Sequence, residues 1–139
     1  MNLEKAKQLL LTGEYTCVLV GENNILTSVH RGVRPLVEWL KSGTHVRGYS
    51  AADKVVGRAT AYLYVLLGVR ELYATVISRP ALEVLTAHAI PVEYCQCVDN
   101  IINRTGDGIC PFEEAVMDIS DPDAAYTAII SKMRSMNLL

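Results

Sequence analysis

The chain has 139 residues, half of them apolar, and a formal net charge of −2; this suits one globular domain and is too short to bury two cores well. Charged residues at 20%, with nine glycines, five prolines and no low-complexity run, exclude disordered and collagen-like classes. The longest apolar run, Ala61 to Val69 with its single glycine allowed, is about half of the roughly 20 residues that a membrane-spanning helix needs, and four cysteines in a chain of this length do not make a disulfide scaffold, so reduced thiols are expected.

The opening stretch Met1-Asn2-Leu3-Glu4-Lys5-Ala6-Lys7 is charged and lacks the apolar core of a signal peptide, which predicts a cytoplasmic protein. Leu3, Ala6, Leu9 and Leu10 fall at helical spacing, and Gly13 stands where that helix would end. Cys17 to Val20 and Ile25 to Val29 read as a hairpin around the turn Gly21-Glu22-Asn23-Asn24. Pro35 opens a helix carrying Leu36, Val37, Trp39 and Leu40, which Gly43 stops. Ser50-Ala51-Ala52-Asp53 matches a capping box, so a buried helix is expected from Asp53 to Leu67, with almost no polar face.

Glu71 to Ser78 is a strand by its β-branched and aromatic content, and Pro80 opens a helix over Arg79 to Ala89. Pro91 to Val98 is a further strand, Asn103 to Gly108 a glycine-containing loop, and Pro111 to Met117 a short helix. Asp121-Pro122 opens a closing helix over about 121–136. The order predicts a single α/β domain over 1–139, a three-layer α/β/α sandwich around a mixed sheet of about four to five strands.

Charge divides along this order. Residues 31–70 hold seven Lys/Arg against Glu38 and Asp53, a local balance of +5, whereas residues 71–125 hold Arg79 and Arg104 against ten carboxylates, a balance of −8. Such asymmetry marks an anion-binding face, a self-association surface or solvated helix faces.

The hairpin, the buried helix, the unit TVISRPALEVL and the stretch INRTGDGICPFEEAV together resemble a small prokaryotic family of unknown function placed in the cytidine deaminase-like superfamily, over roughly residues 1–125. The resemblance implies a deaminase-like fold with a pocket where two helix starts meet. Zinc deaminases carry His-x-Glu at the first start and Pro-Cys-x-x-Cys at the second. Laid over those motifs, Lys54 and Val56 stand at the His and Glu positions, and Ala81 and Val84 at the cysteines. Residues 51–69 contain no His, Cys or Glu, and residues 76–90 no Cys, so a zinc deaminase mechanism is excluded; neither a metal nor another cofactor is expected.

What the pocket would retain is positive charge and helix amides. Lys54, Arg58 and Ser78, with Arg79 beside them, are candidate ligands for a small anion or nucleotide, joined by Asn103, Arg104, Thr105 and Asp107 from the glycine loop. An alternative reading makes Cys110, before Pro111, a nucleophile assisted by Asp53 or Asp107. Cys95 and Cys97 share a strand face near His88, but Cys-x-Cys is far less specific for metal than paired Cys-x-x-Cys motifs. His30, His45, Arg31 and Arg34 flank the first core helix and are candidates for its rim. A third reading is a non-catalytic domain that self-associates, with a homodimer as the expected partner state. No membrane partner is expected, and the acidic balance with few aromatics argues against nucleic acid.

Overall fold

The computed structural model describes residues 2–30, 32–103 and 105–139. Its elements are helix α1 (Asn2–Thr12), strands β1 (Cys17–Val20) and β2 (Ile25–Ser28), helix α2 (Arg34–Lys41), strand β3 (Ser50–Val56), helix α3 (Arg58–Leu67), strand β4 (Glu71–Ser78), helix α4 (Arg79–Ala87), strand β5 (Val92–Val98), and helices α5 (Pro111–Ala115) and α6 (Pro122–Ser135). The five strands form one mixed sheet in the order β2-β1-β3-β4-β5. β1 runs antiparallel to β2 and β3, while β3, β4 and β5 are parallel, joined by α3 and α4 as crossovers. Among the described residues no helix is long and apolar enough to cross a membrane.

One expected element is of a different kind. Ser50 to Val56 is a central strand, and the helix starts four residues after Lys54, at Arg58. The apparent capping box is therefore not one: Ser50 Oγ donates to Glu71 Oε2 at 2.6 Å across the β3–β4 pair. Ser50, Ala51, Ala52 and Asp53 are all buried because β3 is paired on both edges and covered on both faces, a situation in which strand alternation disappears from the sequence. The two alanines leave room for helices on both sides.

Side-chain alternation along the strands divides the core. Val18, Val20, Ala52 and Tyr73 face α1, packing on Ala6 and Leu10. Cys17, Leu19, Ala51 and Ile77 face the larger core, where α3 packs with α2, α4, α5 and α6 around it. Helix α3 buries seven of its ten residues, including Tyr62 and Tyr64, and ends on Gly68, whose left-handed φ of 76° suits glycine.

The outer helices are held by Arg58. Its Nε donates to the Val116 carbonyl at 3.1 Å, and an Nη donates to Tyr62 Oη at 3.0 Å and to the Ile119 carbonyl. The planar fork serves three acceptors that an ammonium cannot reach together. Arg58→Lys is expected to cost about 2 kcal/mol, lowering the thermal unfolding midpoint by about 7 °C; calorimetry checks this, and an unchanged midpoint would show that the fork is not what ties the α5–α6 connection to α3.

Candidate functional site

A cleft of about 970 Å³ opens beyond the carboxyl end of β3, the side on which open α/β sheets place their ligands. Its floor includes Cys17, Asp53 and Thr60. Lys54, Val55, His30 and Arg34 border it on one side, Ile101, Ile102, Asn103, Thr105 and the Cys110–Glu113 segment on another, and Met133 of α6 closes it together with Met136 and Leu138 that follow the helix.

Asp53 is central to the floor. Residue 53 shares the facing of Ala51, toward α3, and its strand partner on β1 is Cys17. Tyr64, in the second turn of α3, meets both: its hydroxyl donates to Asp53 Oδ2 at 2.6 Å and lies 3.1 Å from Cys17 Sγ. The Val55 amide donates to Oδ1 across a longer 3.3 Å. Burial pushes the Asp53 carboxyl up to about 7, against the lowering effect of the Tyr64 hydroxyl and the backbone amides. Burial, reinforced by the neighbouring carboxylate charge, raises the Cys17 thiol and the Tyr64 phenol well above their ordinary values, so both hold their protons at neutrality.

The start of α3 lies beside this floor and carries its own anion. Glu113, 8% exposed, accepts from the Arg58 amide at 2.7 Å and the Ala59 amide at 3.0 Å, satisfying two of the helix's first amides where Gly57 has no side chain to offer. A Cβ on Gly57 would meet that carboxylate at 2.5 Å. Gly57 has an ordinary extended backbone, so it is space for Glu113, and no unusual φ, that calls for glycine.

These facts place the sequence-derived candidates. Asp53, Lys54, Asn103, Thr105 and Cys110 do line one cleft. Lys54 does so as an exposed strand residue and not from a helix turn. Arg58, Ser78 and Asp107 are not among its lining residues. The Arg58 fork is turned to the α5–α6 connection, Ser78 is fully buried and caps α4 by accepting from the Ala81 amide, and neighbouring Arg79 pairs with Asp99 at 3.2 Å. Asp107 is folded into its own loop, where the Thr105 hydroxyl at 2.6 Å and the Asn103 amide at 3.0 Å hold its carboxyl below the usual range. Arg104 lies outside the described residues, as does Arg31. The expected meeting of two open helix starts is replaced by two capped ones.

Zinc does not fit here. The α3 start offers Gly57, Arg58 and Ala59, the α4 start offers Ala81 and Val84, and the Glu113 carboxylate fills the space ahead of α3. Among the described residues no three His, Cys, Asp or Glu side chains gather as a metal site, those around Cys95, Cys97 and His88 included. Cys17, Tyr64 and Glu113 escaped the sequence reading. The one available signal was Tyr64, since a tyrosine inside an otherwise apolar buried helix needs a partner for its hydroxyl.

Fold and site together define an α/β domain on a five-stranded mixed sheet, with a carboxyl-floored cleft at the end of its third strand. Residues 5–133 match the domain of unknown function DUF1893, and the chain belongs to that family. The crystal structure of a DUF1893 family protein from Thermotoga maritima (TM1506) is similar to it, with a TM-score of 0.86 at 26% identity over 94% of this chain and 89% of that one. No curated protein matches the chain.

Proposed function

We propose that the protein binds a small anionic, nucleotide-like molecule in this cleft, on a zinc-free scaffold of the cytidine deaminase-like kind. The sheet order and the single helix α1 opposite the remaining helices support the three-layer, deaminase-like assignment. The observation that carries the binding reading is the cleft itself: a buried carboxyl that titrates near neutrality lies on the floor of a concavity whose rim mixes Val29, Val55, Ile102 and Phe112 with Lys54, Arg34, Asn103 and Thr105. Apolar walls with a few convergent polar groups and a perturbed carboxyl are the usual marks of a small-molecule site. Arg34 and Lys54 favour an anion, and the apolar rim favours a ring beside it.

Thermal unfolding against nucleoside monophosphates and phosphorylated sugars tests this reading. A ligand at about 100 times its Kd adds about 2.7 kcal/mol, a rise of about 9 °C for a chain of this size. Lys54→Ala, on an exposed side chain, is expected to abolish most of that rise without changing the unliganded midpoint. No shift with any of these ligands, or a shift indifferent to Lys54→Ala, contradicts the reading.

A further inference from the structure

The three side chains on the cleft floor form a row that can run in either direction. With Asp53 ionised, the Cys17 thiol donates to Tyr64 Oη and the Tyr64 hydroxyl donates to Asp53 Oδ2. With Asp53 protonated on Oδ2, that hydroxyl donates to Tyr64 Oη and the Tyr64 proton turns toward Cys17 Sγ; with Asp53 protonated on Oδ1, Tyr64 keeps donating to Oδ2 and the row keeps its first direction. Both directions keep the carboxyl and phenol oxygens of the row paired, the reversed one freeing only the weakly donating thiol hydrogen, and among the described residues no buried side-chain nitrogen or oxygen lacks a partner. The carboxyl can therefore gain or lose a proton without orphaning a buried group, the usual cost of titration in an interior. Glu113 is the contrast, since both of its carboxylate oxygens are taken up by helix amides, those of Arg58 and Ala59. Oδ2 is engaged by Tyr64 at 2.6 Å, whereas Oδ1 accepts from the Val55 amide across a longer 3.3 Å and is the more weakly held oxygen of a carboxyl that lines the cleft.

We infer that Asp53 is a general base of the cleft, taking a proton from a bound small acid whose X–H bond is weakened by an adjacent electron-withdrawing group, with Tyr64 and Cys17 as positioning residues. This rests on the reading of the cleft as a small-molecule site and adds chemistry to it. In the step, the X–H bond breaks as an O–H bond forms at Oδ1. The bonding pair moves onto the electron-withdrawing oxygen of the substrate, and the anion so formed lies in a cleft bordered by Arg34 and Lys54. Return of the proton reverses the step, so no oxidant or co-reactant is consumed. The titratable and charged groups around Asp53 are Cys17 from β1, His30 after β2, Arg34 from α2, Lys54 beside it, Tyr64 from α3, and Cys110 and Glu113 at α5.

Nitroethane is a suitable probe, being a small neutral carbon acid that needs no anion site to enter. Its hydrogen–deuterium exchange in D2O, followed by proton NMR, is expected to run at least about tenfold faster with wild type than with Asp53→Asn at equal concentration. The wild-type rate should rise with pH to a plateau. Tyr64→Phe should keep the exchange but move its midpoint to higher pH, because the Tyr64 hydroxyl lowers the carboxyl; a merely structural tyrosine would change the amount of folded protein and not the midpoint. Equal rates for wild type and Asp53→Asn, or superimposable profiles for wild type and Tyr64→Phe, overturn the inference. Should Asp53→Asn not fold, the wild-type profile decides: a plateau supports the base, and a rate that only follows hydroxide overturns it. Exchange that persists when no nucleotide binds would remove the proposed ligand class and leave the base, and nucleotide binding without exchange would do the reverse.

Discussion

The unfolding free energies of wild type and Asp53→Asn, measured in urea from pH 4 to pH 8, are expected to diverge by about 4 kcal/mol, with wild type losing stability as the pH rises. The direction follows from where the proton sits. Unfolded, Asp53 ionises near its ordinary value of 3.8, whereas in the fold it holds its proton to about 7. Between those values the native state binds the extra proton, so each pH unit favours the unfolded chain by about 1.36 kcal/mol, and above about pH 7 the difference is constant. Asparagine keeps the polar contact to Tyr64 without the ionisation, so its curve lacks this component. The cause is burial against α3, where the partners of the carboxyl are hydroxyl, thiol and amide groups. Parallel curves for the two proteins would mean that water or a counter-charge reaches the carboxyl. The alkaline arm carries a second expectation: Cys17 and Tyr64 are also raised, so stability falls further once the pH passes the ordinary thiol and phenol values of 9.0 and 10.0.

Glu113→Ala is expected to cost about 3 kcal/mol, a fall of about 10 °C in the unfolding midpoint, because it leaves the Arg58 and Ala59 amides without an acceptor in a buried place. Glu113→Gln, which retains one carbonyl acceptor, should recover about half of that. Gly57→Ala provides the check on mechanism. Alone it drives a methyl to 2.5 Å from the carboxylate and should cost about 2 kcal/mol. In the Glu113→Ala background the methyl meets empty space, and its cost should nearly vanish, a coupling of about 2 kcal/mol in the double-mutant cycle. Additive costs would place the effect in the backbone of Gly57 and not in its contact with Glu113.

Local chemistry made much of this fold legible. Asp121 accepts from the Ala124 amide and Ser78 from the Ala81 amide, each ahead of a proline, as their cap spacing predicts. The hairpin, β4, β5 and the closing helix likewise follow from turn residues, β-branched content and helical spacing that act within a few positions. β3 was illegible because both of its faces are covered by elements remote in sequence, and its alanines and Ser-x-x-Asp pattern carry a helix signal that pairing with β1 and β4 overrides. The helix signal puts Lys54 at a helix start, whereas it stands on β3, and it gives no sign of the partners of Asp53.

The candidate site was legible only in pieces. Asp53, Lys54, Asn103, Thr105 and Cys110 belong to the cleft, but for reasons of topology that no local spacing contains. The Asp53–Tyr64 bond spans 11 residues and the Glu113 cap spans 55, so neither has a sequence signature. The charge of Arg58 suggests an anion ligand, but the fold uses it on the main-chain carbonyls of Val116 and Ile119.

The most direct test is backbone amide NMR of the 15N-labelled protein titrated with a nucleoside monophosphate. The expected result is a set of saturable shifts confined to the amides of Val55, Thr60, Asn103, Thr105 and Cys110 around the cleft, reduced by Lys54→Ala. Saturable shifts elsewhere, with these amides unmoved, would contradict the assignment of the cleft as the binding site.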